Sequence, residues 1–161
     1  MLLGILSDTH DQRDRTQRAI ELLAERGAQS LVHCGDFVDP MIVPICSVLP
    51  LYFVFGNNDA DVAPMLREAG RLTGAVCLEW GGLIELAGKR IAVTHGHMRT
   101  DVRRLSNPLP DYFLSGHSHF ALDHREGACR WINPGALHRA DEYTVALLNL
   151  QTDELAFMKV I

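Results

Sequence analysis

Five short polar motifs each stand at the end of an apolar run, and this placement constrains the chain more than any other feature. Asp8-Thr9-His10 follows Leu2–Leu6, and Gly35-Asp36-Phe37-Val38-Asp39 follows Ser30–Cys34. Gly56-Asn57-Asn58-Asp59 follows Leu51–Phe55, Thr94-His95-Gly96-His97 closes Arg90–Thr94, and Gly116-His117-Ser118-His119 follows Asp111–Ser115. Short runs rich in branched and aromatic residues read as strands. Open α/β sheets place ligands outside the carboxyl ends of their strands. Five strand ends delivering Asp, His or Asn therefore predict a fold that gathers those ends at one point.

The segments between the runs agree. Arg13–Arg26 has the apolar spacing of an amphipathic helix, with Gly27 as its stop; Pro40–Val48 and Val62–Ala69 read as two further helices, the second ended by Gly70. The first half is thus β-α-β-α-β-α, which implies parallel strands with crossover helices. In the second half Ala75–Glu79, Leu83–Leu86 and Arg90–Thr94 read as strands separated by hairpin turns at Trp80-Gly81-Gly82 and Ala87-Gly88-Lys89. Phe120–Arg125 pairs with Arg130–Asn133 across Glu126-Gly127, and Tyr143–Leu150 with Glu154–Val160 across Gln151-Thr152-Asp153. This half is expected to be largely antiparallel. The predicted architecture is α/β, two packed β-sheets flanked by helices (an αββα sandwich), forming one domain over residues 1–161.

Composition enters as a set of exclusions. A chain with 47% hydrophobic and 22% charged residues is ordinary globular material. No apolar run reaches membrane length, so no membrane partner is expected. Met1–Leu6 lacks a basic region and a cleavage site and reads as the first strand. The net charge of −5 argues against long nucleic acid as a partner. Cys34, Cys46, Cys77 and Cys129 form no C-x-x-C pair, so buried free thiols and a cytoplasmic location are expected.

Asp8, His10, Asp36, Asn57, His95, His117 and His119 supply carboxylate, amide and imidazole donors but no thiolate. One tetrahedral ion needs only about four ligands. The set suits two divalent ions that share a bridging carboxylate, and mixed nitrogen and oxygen donors suit Mn²⁺, Fe²⁺, Zn²⁺ or Ni²⁺ better than Mg²⁺ or Ca²⁺. Mn²⁺ is the first expectation, with Ni²⁺, Zn²⁺, Fe²⁺ or Mg²⁺ as alternatives. Two ions about 3.5–4 Å apart can hold a hydroxide nucleophile and clamp a phosphoryl oxygen. Phosphoester hydrolysis is the chemistry this predicts first, with other hydrolytic chemistry behind it.

The five motifs in this order resemble the calcineurin-like metallophosphoesterase superfamily, and the short chain resembles its small, cap-free bacterial and archaeal phosphodiesterases. Asn133-Pro134-Gly135 is similar to the late turn of that subgroup. The resemblance implies one ion on Asp8, His10, Asp36 and His119, a second on Asp36, Asn57, His95 and His117, and Asp36 as the bridge. It implies a small-molecule phosphodiester as the substrate. Many relatives carry His, a proton donor to the leaving group, where this chain has Asn58. Asn58 and His97 are therefore expected to make only substrate or leaving-group contacts. The alternative is a non-catalytic protein-binding scaffold of the same fold, such as the retromer's small subunit; the complete donor set favours the enzyme. Homo-oligomerisation is left open.

Other polar residues have plainer readings. Asp39 is expected as a helix cap or as support for a ligating His, and Asp59 as support or cap. His33 is expected in the core, His124 and His138 in surface or local structure, and Arg99, Arg103 and Arg104 on a solvated helix face.

Overall fold

Alternation along the central strands divides their side chains between two apolar layers. In the computed structural model, which describes residues 1–161, the elements run β1 (Leu2–Leu6), α1 (Arg13–Glu25), β2 (Ser30–His33), α2 (Ile42–Cys46), β3 (Leu51–Phe53), α3 (Ala63–Thr73), β4 (Val76–Cys77) and β5 (Gly81–Leu86). Then follow β6 (Lys89–Thr94), α4 (Arg99–Leu105), β7 (Tyr112–Leu114), β8 (Ala121–Glu126), β9 (Cys129–Pro134), β10 (Thr144–Asn149) and β11 (Leu155–Lys159). One sheet has the order β11-β10-β1-β2-β3-β4, the other β5-β6-β7-β9-β8. Leu3, Ile5 and Val32 face the second sheet and meet Ile91, Val93, Leu114 and Ile132. Leu6, Leu31 and Phe53 face the opposite way, onto Ile20 and Leu23 of α1, Ile42 and Cys46 of α2, and Leu66 of α3. On the far side, Leu105 of α4 packs on Ala92 and Phe113. The result is the expected pair of packed sheets flanked by helices, and both sheets are mixed.

The helices form for the reason their spacing gives. Thr16, Ala19, Ile20 and Leu23 are the buried stripe of α1, three or four residues apart on one face. α3 differs from expectation. It runs through Gly70 and stops at Gly74, whose φ of 77° supplies the left-handed cap. Gly70 serves packing instead: a Cβ there would meet the Phe53 ring at 3.0 Å.

One further expectation is corrected. Trp80-Gly81-Gly82 is not a hairpin turn, because β4 pairs with β3 in the first sheet while β5 opens the second. The stretch is a crossover between sheets, and Gly81 and Gly82 belong to β5. The second half is largely antiparallel, as expected, but β7 is parallel to both β6 and β9. The Arg99–Leu105 segment, read as a basic helical face, is the crossover helix that makes the β6–β7 pair parallel. The expected hairpins β5–β6, β8–β9 and β10–β11 form in antiparallel register.

Candidate metal centre

Three of the strand ends turn sharply at the site, and the converging residues there carry that turn in their own backbones. Asp8 (φ 53°), His10 (48°), Asp36 (61°), His117 (68°) and His119 (63°) all adopt the left-handed conformation. Such conformations cost of order 1–3 kcal/mol each for non-glycine residues and persist where surroundings over-determine them. Here Asp8 N–H donates to Gly35 O at 3.0 Å, His10 N–H to Asp36 O at 2.9 Å, and Gly116 N–H to His95 O at 3.1 Å. The backbone also approaches the carboxylates closely. A Cβ on Gly56 would collide with the Asp36 side chain, and one on Gly116 with Ser7 and Asp8.

The side chains meet around two buried carboxylates. Asp36 Oδ2 lies 3.6 Å from His10 Nε2 and 3.4 Å from His95 Nε2. Asp8 Oδ1 lies 3.1 Å from His119 Nε2 and 3.9 Å from His95 Nε2. Two groups of donor atoms, Asp8/His10/His119 and Asp8/Asp36/His95, each fall within 4.8 Å of one another. Asp8 belongs to both groups, while Asp36 reaches toward both His10 and His95. His117 and His119 diverge, the His117 ring standing 5.1 Å from that of His95. Asn57 lines a neighbouring cleft with His97.

The donor atoms fit cations. Asp8 Oδ1, His10 Nε2 and His95 Nε2 are buried and have no hydrogen-bond partner, a costly state for polar atoms unless something else satisfies them. His95 Nδ1 lies 2.8 Å from Cys34 O, and His119 Nδ1 3.2 Å from Arg139 O. A carbonyl only accepts, so each Nδ1 carries the proton and each Nε2 turns a lone pair toward a carboxylate. Lone pairs facing carboxylates call for positive charge between them. Burial pushes the Asp36 carboxyl up, but the His95 ring and the Asn58 amides hold it well below the usual range. Burial likewise opposes the His95 charge, and Asp36 and Asp8 outweigh it, raising that imidazole. Burial and neighbouring His138 lower His10.

Supporting residues fix these positions. Asp59 is fully buried. Its carboxylate accepts the N–H groups of Asp36 (2.9 Å), Phe37 (2.8 Å), Val38 (2.8 Å) and Gly56 (2.7 Å), pinning the β2 and β3 loops together. Asn133 donates its amide to Gly116 O at 2.7 Å and Ser118 Oγ at 3.0 Å, so the Asn-Pro-Gly turn anchors the His117–His119 loop. Asp8 makes no helix cap; its Oδ2 accepts the Ser7 hydroxyl at 2.6 Å and the His117 N–H at 3.1 Å. Asp39 caps its own turn by accepting Met41 N–H at 3.0 Å, and it pairs with Arg13. His33 is a core residue, as read, bonded to Gly35 N–H at 3.1 Å and Thr9 Oγ1 at 3.0 Å. His138 was missed. Its ring stacks on His10 with centroids 4.2 Å apart. The signal was its position just after Asn133-Pro134-Gly135, since Leu137 N–H donates to Asp8 O and carries that segment to the centre.

Known proteins are similar to this chain in sequence and fold. The family model of the calcineurin-like phosphoesterase superfamily domain matches residues 1–153. Phosphodiesterase MJ0936 of Methanocaldococcus jannaschii is 26% identical over 138 residues, covering 84% of this chain and 83% of its own. Phosphodiesterase YfcE of Escherichia coli K12 is 28% identical over 152 residues, covering 85% and 79%. A solved structure of a novel archaeal phosphodiesterase superposes with a TM-score of 0.89 at 25% identity, covering 99% of both chains.

Proposed function

This chain belongs to the calcineurin-like phosphoesterase superfamily, and we propose that within it the protein is a dinuclear metal-dependent phosphodiesterase acting on small or activated phosphodiesters. Asp8, His10, Asp36 and His119 would hold one ion and Asp36, Asn57, His95 and His117 the other, with Asp36 common to both. The observation that carries this reading is the set of buried imidazole lone pairs and the carboxylate oxygen that lack any partner. Divalent ions held by these residues, Mn²⁺ foremost, would supply an activated water and a clamp for phosphoryl oxygens.

The chain's own residues define the rest. His10 and His119 keep 17% and 24% of their side-chain surface exposed, so a phosphoryl group reaches them from solvent. His97 lines the cleft beside Asn57, where its ring can contact a substrate. Asn58 donates to Asp36 and so orients the shared carboxylate. All four cysteines are free, three of them buried.

Chelator-treated protein should lose hydrolysis of bis(nitrophenyl) phosphate, and Mn²⁺ should restore it, with Ni²⁺, Zn²⁺, Fe²⁺ and Mg²⁺ compared in parallel. Full activity in metal-free protein would overturn the reading. Metal-replete protein that turns over no diester in a broad panel would favour the scaffold instead.

A further inference from the structure

Two clefts border the centre, and their linings differ in kind. One, of about 380 Å³, is lined by Asn57, Ala60, Trp80, His97 and Met98. The other, of about 270 Å³, starts at His119 and Phe120 and runs to Arg139, Asp141 and Glu142. We propose that the Trp80–Met98 cleft is the subsite for a planar aromatic substituent of the phosphoester substrate, an inference that rests on the phosphoesterase reading above.

Trp80 is a fixed wall. Its ring packs edge-on against Phe55 at 5.5 Å and His97 at 6.1 Å, and its carbonyl accepts the Thr94 hydroxyl at 3.2 Å. The neighbouring chain is tied down as well, with Phe55 N–H donating to Glu79 O at 2.7 Å and Gly81 N–H to Leu78 O at 3.2 Å. Met98, 41% exposed, stands beside it. An unbranched thioether adapts its shape and favours the edges of aromatic rings. Tryptophan presents a large face for stacking.

The polar groups of the cleft sit where a phosphoester would enter. Asn57 and His97 line it, and the buried Nδ1 of His97 has no partner within the protein. Mostly apolar walls with a few converging polar atoms, in a volume above about 300 Å³, are the usual form of a small-molecule site. No carboxylate or cationic chain lines this cleft, whereas the one beside His119 carries Arg139, Asp141 and Glu142. An uncharged ring therefore partitions to the Trp80 side.

Phenylphosphonate and methylphosphonate, titrated calorimetrically into Mn²⁺-loaded protein, test this with one substituent each; Trp80 fluorescence, isolated in a Trp131→Phe background, gives a second readout. Wild-type protein should bind the phenyl compound at least about tenfold more tightly, as burying a ring predicts. Ala60→Trp, which fills the cleft from an exposed position, and Met98→Gln, which makes it polar without adding charge, should each bring the ratio close to one. Methylphosphonate affinity should stay within about twofold of wild type in both. A ratio unchanged in both variants, or one that collapses in Phe120→Ala instead, would overturn the assignment. Equal binding of the two phosphonates by wild-type protein would sink the subsite alone, whereas failure of both to bind would sink the phosphoesterase reading with it.

Discussion

Asn58 holds the carboxylate of Asp36 from both ends of the residue, its backbone N–H donating to Oδ1 at 2.9 Å and its side-chain amide to Oδ2 at 2.7 Å. Oδ2 is the oxygen that faces His10 and His95. Removing the amide frees that oxygen to rotate, and partners that orient ligands are worth about 10–100-fold in metal affinity. Asn58→Ala should therefore weaken Mn²⁺ binding by roughly that factor. Its urea stability should barely change, because the residue is exposed. Unaltered Mn²⁺ affinity would show that the backbone N–H alone sets the carboxylate.

Metal content separates the two halves of the centre. Wild-type protein should bind two ions per chain under saturating Mn²⁺. Asp36→Asn removes the charge that faces both His10 and His95 and should lower occupancy at both positions. His119→Ala removes a donor near Asp8 only and should lower one. Elemental analysis with titration reads both variants, and a single ion in the wild type would refute the dinuclear assignment.

Asp59 is a stability determinant. Each of its oxygens accepts two backbone N–H groups. Asp59→Asn keeps the shape but turns one acceptor into a donor, leaving two buried N–H groups unpaired. Each costs about 1–3 kcal/mol, so a loss of roughly 2–6 kcal/mol is expected in denaturant titration. A loss below about 1 kcal/mol would mean that the loop re-forms around water.

His33 gives the fold a pH dependence of known sign. Burial pushes its imidazole from 6.5 down to about 3. Below pH 6.5 the unfolded chain binds a proton that the folded chain refuses, so stability falls as pH drops from 6.5 toward 3. The slope from this group approaches about 1.4 kcal/mol per pH unit. His33→Gln loses bonds to Thr9 and Gly35 and starts less stable near neutral pH, but it lacks this slope. Urea titrations of both proteins from about pH 7 to about pH 5 should show the gap between them narrowing. A constant gap would show that His33 accepts its proton in the folded state.

Much of this was legible in the sequence, for definable reasons. Strand ends are marked by a switch from apolar to polar residues, so Asp8, Asp36, His95, His117 and His119 could be placed at the carboxyl edges before their geometry was known. What stayed hidden depends on tertiary context. Gly70 looked like a stop because glycine ends helices, but Phe53 needed the space that a side chain would fill. The parallel β6–β7 pair was hidden because α4 is short and strongly charged, so its apolar Val102 and Leu105 gave little periodic signal. His138 reaches His10 only through the turn at Asn133-Pro134-Gly135. Local propensity cannot report a distance between residues more than a hundred positions apart.

The identity of residue 58 also predicts how the rate responds to the leaving group. A nitrophenolate departs without a proton, whereas an alkoxide does not, and a neutral amide cannot act as a general acid. The Asn58 amide is in any case committed to Asp36. Wild-type activity should therefore fall steeply as the leaving group becomes more basic. Asn58→His places an imidazole at this position, and a well-positioned general acid contributes about 10²–10⁴-fold. The gain here should be far smaller. The Asp59 carboxylate that would orient such a ring already accepts four backbone N–H groups, and the substitution also removes the amide from Asp36. The expected outcome is a shallower leaving-group slope with a lower rate for nitrophenyl esters. Both proteins must be compared at equal metal occupancy over a series of aryl and alkyl esters. Identical slopes would show that position 58 does not govern leaving-group protonation, and would move attention to His97, whose Nδ1 is buried and unpartnered beside the same centre.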